Sequence, residues 1–192
     1  MEAEANSTQH KIMSEAIDVF QRKGFAGARM QEIADRAGIN KAMLHYYFKT
    51  KEDLFSQVFQ QALTLFVVSI QQILGSDRTL IEKINQYVDY TVSALSANPN
   101  IPSFVLHEIN RDPQRLTTFF AGDDRLDLTR FTQHFASAQH ANQFFTDMVS
   151  LCIYPFVARP MLEKLFAMTP QAYEQFLHQR KKSIKRQLIH QL

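Results

Sequence analysis

Lys41, Met43, His45, Tyr46, Tyr47 and Phe48 follow one another almost without a break. An ammonium, an imidazole and two phenols supply hydrogen-bond donors and acceptors, and the thioether supplies an apolar contact. Lys41 and His45 suit base edges, Met43 a thymine methyl, and the hydroxyls of Tyr46 and Tyr47 suit phosphates. Catalytic patterns are poorer. His107-Glu108 lies on one helical turn without a nucleophile pattern. His134, His140, His178 and His190 lack metal-ligand spacing, and Cys152 has no partner cysteine. Asp123, Asp124 and Asp127 read as a solvated turn and helix start. No catalytic residue, metal or other cofactor is expected, and the chain reads as a non-enzyme.

The outward residues of 41–48 need a scaffold, and local signals describe one. Ser7 or Thr8 can cap a first helix whose stripe is Ile12, Ala16, Ile17 and Phe20. Lys23-Gly24-Phe25 ends it, with Gly24 free to turn left-handed and Phe25 folding back. A second helix spans 30–37 and stops at Gly38. Asn40 caps a third, stapled by Ile39 and Leu44. Thr50, with Asp53 three residues on, starts a long helix reaching Gly75. Ala34, Gly38 and Leu44 then provide what a helix-turn-helix unit requires: a small residue at the crossing, a turn glycine and an apolar anchor. With Leu44 and Phe48 inward, Lys41, Ala42, His45 and Tyr46 face outward and Met43 and Tyr47 flank them. Lys51, in the first turn of the long helix, adds its charge to free backbone N–H groups that favour an anion.

Beyond Gly75 the pattern stays helical. Ile81, Ile84, Val88, Val92 and Leu95 form one stripe, closed by Asn-Pro-Asn-Ile-Pro at 98–102. Further helices are expected over 104–110, 116–120, 126–138, 142–158 (interrupted by Pro155, with a second break at Pro160) and from Pro170 onward. The fold class is all-α, with a head over 1–52 and a larger helical body over 53–192. A single cysteine fits a reducing compartment. The polar N-terminus lacks a signal-peptide core, and no apolar run reaches the roughly 20 residues of a membrane span. A cytoplasmic protein with no membrane partner is expected.

Residues 10–55 resemble the DNA-binding head of TetR-family (tetracycline-repressor-like) transcriptional regulators. The resemblance is carried by Val19-Phe20, Lys23-Gly24-Phe25, Ile33-Ala34, Ala37-Gly38, Lys41 to Phe48, and Lys51-Glu52. It implies that Lys41 and Ala42 sit over bases, that His45 and Tyr46 contact bases and phosphates, and that Lys51 binds phosphate. Double-stranded operator DNA is the implied partner. Ala42 and Met43 stand where many members have glycine and threonine, and His45 where many have tyrosine, which bears on the operator sequence. Arg29 stands where serine or threonine often approaches a phosphate; it is either a stronger phosphate ligand or a solvated arginine.

The family's architecture implies a body that dimerises and binds an effector. Phenylalanine is abundant at 16 residues and tryptophan absent. Phe66, Phe104, His107, Phe120, Phe131, Phe145 and Met148 are the candidate walls of an apolar pocket for a small hydrophobic effector. The competing reading is that the rings fill a core and His107 is a satisfied core histidine. A homodimer interface is expected from Phe144, Val149 and Ile153 with Phe176, Leu177, Ile184 and Leu188, because those helices carry apolar residues on more than one face. Basic residues from Arg180 to Arg186 read as a solvated face, the alternative being a second nucleic-acid patch. The expected function is a repressor released by an apolar or aromatic ligand. The alternatives are a DNA-bound adaptor whose body binds protein, and an enzyme or carrier that keeps the head as scaffold.

Overall fold

The computed structural model describes residues 2–114, 117 and 127–192, and for residues 2–6, 65, 66, 68 and 69 the backbone alone. Among the described residues the elements are all helices: α1 (Glu2–Gly27), α2 (Met30–Ala37), α3 (Lys41–Tyr47), α4 (Lys51–Leu74), α5 (Leu80–Ala97), α6 (Ile101–Arg111), α7 (Thr129–Thr132), α8 (Ala138–Val157), α9 (Arg159–Leu165) and α10 (Pro170–His190). Several bounds differ from the sequence expectation. Ser7 and Thr8 lie inside α1, because the preceding glutamates and alanines are themselves good helix formers. The segment expected over 116–120 lies, apart from Thr117, outside the described residues, as does Leu126. The helix expected over 126–138 is a single turn, α7; Ser137 instead caps α8 by accepting the His140 N–H at 3.1 Å. Pro155 does not interrupt α8. Close to the C-terminal end its missing N–H removes one hydrogen bond, and its own carbonyl accepts from the Tyr173 hydroxyl at 2.9 Å. Pro160 occupies the first turn of α9, where an absent N–H costs little.

The chain divides into two compact units, Met1–Thr64 with Ser103–Pro113, and Leu65–Pro102 with Gln114–Leu192. This differs from a boundary at residue 52, and the first unit's aromatic core explains why. Gly24 takes φ 65° and ψ 175°, which turns the chain so that the Phe25 ring returns to 6.3 Å from Phe20. Phe55 meets Phe20 edge-on at 4.9 Å and Phe25 at 5.1 Å. Phe104 of α6 lies 5.6 Å from Phe55 and 6.1 Å from Phe59. Phe20, Phe55 and Phe104 are buried. Each such ring stabilises by about 1.5–3 kcal/mol through burial, so the beginning of α4 and all of α6 beyond Pro102 fold with the head.

In the second unit α10 packs on α5 and α8, and α8 packs on α5. Tyr87, Val92, Phe131, Phe144, Met148, Cys152, Tyr173 and Ile184 share its core. α5 starts with a capping box: Thr79 Oγ1 accepts from the Glu82 N–H at 3.3 Å, and the Glu82 carboxylate accepts from the Thr79 N–H at 2.9 Å. Ile81, expected on the buried stripe, is 47% exposed, whereas Lys83 is buried. The Lys83 stem packs inward and its ammonium donates to the Arg130 carbonyl at 2.8 Å. Desolvation, foremost, holds its pKa below the usual lysine range.

Candidate nucleic-acid interface

The α2–α3 turn is built by Gly38, at φ 69° and ψ 31°. Its N–H donates to Asp35 O at 3.1 Å and the Ile39 N–H to Ala34 O at 3.0 Å, so the carbonyls ending α2 are satisfied. Asn40 Oδ1 then accepts from the Met43 N–H at 2.7 Å and starts α3. Leu44 and Phe48 are fully buried and fix the rotation of α3. Lys41, Ala42, Met43, His45 and Tyr46 face solvent, Tyr46 at 84% exposure. Tyr47 is half-buried, its ring edge-on to Tyr46 at 5.6 Å. Arg29, in extended conformation just ahead of α2, is exposed. The pose of α2 is braced by Arg36, which bonds Glu15 at 2.8 Å and also pairs with Asp18 of α1.

His45 Nδ1 lies 3.2 Å from the Lys49 carbonyl. A carbonyl only accepts, so this contact places a hydrogen on Nδ1, and in the neutral imidazole Nε2 is then an acceptor. The exposed face of α3 therefore offers a cationic donor at Lys41, an acceptor at His45, a thioether at Met43 and a phenol at Tyr46. Such a face complements the mixed donors, acceptors and methyl groups of a major groove.

Lys51, expected to favour an anion, also has partners within the head. Its ammonium donates to Ala28 O at 3.1 Å and lies 4.5 Å from the Phe25 ring centroid. The loop that follows Gly24 brings both partners to it, so this lysine ties α4 to the end of α1. At the start of α4 the Thr50 hydroxyl accepts the Asp53 N–H at 3.0 Å, and Asp53 accepts the Lys49 N–H at 3.2 Å.

The described residues expected to wall a pocket fall in both units, Phe104 and His107 in the first and Phe131, Phe145 and Met148 in the second. Phe104 is a core residue of the first unit, and His107 is exposed while its neighbour Glu108 is buried. Helix α6 thus turns one residue away from the expected phase. Phe131 lies 6.2 Å from Phe145, within a ring cluster that includes Phe135 and Phe144, and Met148 is fully buried. Phe120 and the Phe66 side chain lie outside the described residues. Of the residues expected at a dimer interface, Phe144, Leu177, Ile184 and Leu188 are buried within the protomer, which corrects their assignment. Their helices have apolar residues on more than one face because each packs on two neighbours of its own chain. Val149, Ile153 and Phe176 are half-buried at the edge of that core.

Arg111, the partner of Glu108, was missed from sequence. Glu108 accepts from Arg111 at 2.6 Å, and the Arg111 guanidinium lies 5.5 Å from the Phe25 centroid and 5.7 Å from that of Phe55. The three-residue spacing of Glu108 and Arg111 on a helix was the available signal.

Helices α1–α3, with an exposed polar face on α3, define a helix-turn-helix head followed by a helical body. Residues 12–58 match the family model for bacterial regulatory proteins, tetR family. The HTH-type transcriptional regulator RutR of Escherichia coli (strain K12) is 35% identical over 77 residues, covering 40% of this chain and 36% of RutR. The chain thus spans about a third of the length of that curated relative. Over nearly the whole chain the fold is similar to that of SCO4942 from Streptomyces coelicolor, with a TM-score of 0.67, 20% identity and coverage of 96% of this chain and 97% of the other. It is also similar to the TetR-like transcriptional regulator LfrR from Mycobacterium smegmatis, solved in complex with proflavine, with a TM-score of 0.61, 17% identity and 96% of each chain covered. Over its head, residues 12–58, the chain is similar to the tetR family of bacterial regulatory proteins.

Proposed function

We propose that this protein is a sequence-specific DNA-binding transcription regulator, acting as a homodimeric repressor that a small molecule releases. The observation that carries the reading is the exposed row Lys41, Ala42, His45 and Tyr46 on a helix locked from behind by buried Leu44 and Phe48. Lys41, Ala42, Met43 and His45 read base edges, while Arg29, Tyr46 and Tyr47 hold phosphates. Lys51 positions the head rather than touching DNA. Selection of duplexes from a randomised library tests this: an enriched inverted repeat is expected, and recovery of no common sequence would contradict it.

Two copies on a two-fold operator would place their α3 helices in successive major grooves, about 34–36 Å apart for half-sites one turn apart. Tyr154, Val157, Met161, Leu165 and Phe166 are exposed apolar residues at the end of α8 and along and just after α9. Together with the half-buried Val149, Ile153 and Phe176 they are the surface we assign to the dimer. Release follows if a ligand favours a body state that the DNA-bound dimer does not, the coupling being reciprocal. LfrR, with its bound proflavine, supports a ligand-binding body. The mutual packing of Phe131, Phe135, Phe144 and Phe145 favours a second reading, an adaptor whose body binds protein. Small-molecule binding by the body separates the two.

A further inference from the structure

The second unit has a cleft of about 440 Å³ between α5, the ends of α8 and α9 that adjoin, and α10. Small-molecule sites commonly enclose about 300–1,000 Å³. Val92, Phe156 and Leu177 give it an apolar floor, and Arg159 and Lys181 stand at its wall. Neither cation is loose. Arg159 donates through Nε to Glu163 at 2.8 Å, and its guanidinium carbon lies 4.5 Å from the Tyr173 ring centroid. That ring is itself buried and tethered by its hydroxyl to the Pro155 carbonyl. Lys181 donates one hydrogen to Ser93 Oγ at 2.7 Å, which leaves two for another acceptor.

We propose that this cleft binds a small organic monocarboxylate, its apolar body against Phe156 and Leu177 and its carboxylate between Arg159 and Lys181. A neutral apolar guest would cover the Lys181 ammonium and the Arg159 N–H groups that Glu163 does not take, leaving them without acceptors, which is costly. A cationic guest would meet like charge. Glu174, the one carboxylate lining the cleft, and Glu163, which pairs with Arg159, oppose a dianion, whereas the unused donors of Arg159 and Lys181 suit a single carboxylate. None of the described residues expected to wall an effector pocket lines this cleft. The proposal rests on the regulator reading only in that the guest would be its effector; binding itself requires no DNA.

The test uses the full chain without DNA, with benzoate and hexanoate as probes and benzamide and benzylamine as neutral and cationic controls. Calorimetry should show one carboxylate site per chain, and both carboxylates should raise the melting temperature while the controls do not. Lys181→Met keeps the aliphatic stem and should weaken benzoate by about tenfold or more, whereas Lys181→Arg should retain it. Failure of both carboxylates to bind at millimolar concentration overturns the proposal. So does benzamide binding as tightly as benzoate, or unchanged affinity in Lys181→Met. If Lys181→Met does not fold, the charge series on the natural chain and Lys181→Arg still decide. Loss of carboxylate binding with operator selection intact would remove this site and leave the DNA reading standing.

Discussion

At the scale of residues, the side chains of α3 were legible because a helix anchored by Leu44 and Phe48 leaves only certain positions outside. Tyr46 is 84% exposed, so Tyr46→Phe should leave the melting temperature unchanged while weakening operator binding to all sequences alike. The tie of Lys51 to the end of α1 was not legible. A long side chain in a first helical turn can reach outward or back, and Phe25 and Ala28 decide it only after Gly24 has turned the chain. Lys51→Met should therefore destabilise the head by about 0.5–2 kcal/mol in urea denaturation, through the lost carbonyl bond and ring contact. An unchanged denaturation midpoint with weakened DNA binding would return Lys51 to the phosphate. Cys152 is fully buried, and desolvation pushes its thiol up to about 12. Iodoacetamide at pH 8 should leave it unmodified in the native protein and alkylate it rapidly in denaturant.

At the scale of elements, caps and glycines were more informative than stripes. Gly38, Asn40 and Thr50 stand where their chemistry placed them, since each satisfies backbone groups within a few residues. The Thr79–Glu82 box carried the same kind of signal, and Thr79→Ala should cost about 0.5–2 kcal/mol, read as a lower melting temperature of the second unit. Stripes misled where tertiary neighbours decide. Ile81 and Lys83 exchange the expected roles in α5 because the Arg130 carbonyl waits for the ammonium. His107 and Glu108 exchange roles in α6, where Arg111 accompanies the buried carboxylate. Similarly, the apolar faces of α8 and α10 read as an interface, but α5 and each other take up Phe144, Ile184 and Leu188. Periodicity counts apolar faces and does not say whether the partner is the same chain or another.

At the scale of the whole molecule, the all-α architecture was legible from the run of caps and breakers, whereas the division into units was not. That division depends on Phe104 joining Phe55 and Phe59, a contact distant in sequence. The dimer proposal gives a direct expectation: Leu165→Glu combined with Phe166→Glu should turn a sedimenting dimer into a folded monomer, because both residues are more than half exposed and support no core. A dimer that survives both charges would move the interface elsewhere. The central claim is that α3 reads DNA sequence, and fluorescence anisotropy against the selected operator and a scrambled duplex at one fixed salt concentration tests it most directly. Lys41→Ala should lose about 1–3 kcal/mol on the operator and little on the scrambled duplex, narrowing the ratio between them. Equal affinity of the natural protein for the two duplexes, or an unchanged ratio in Lys41→Ala, would contradict the account.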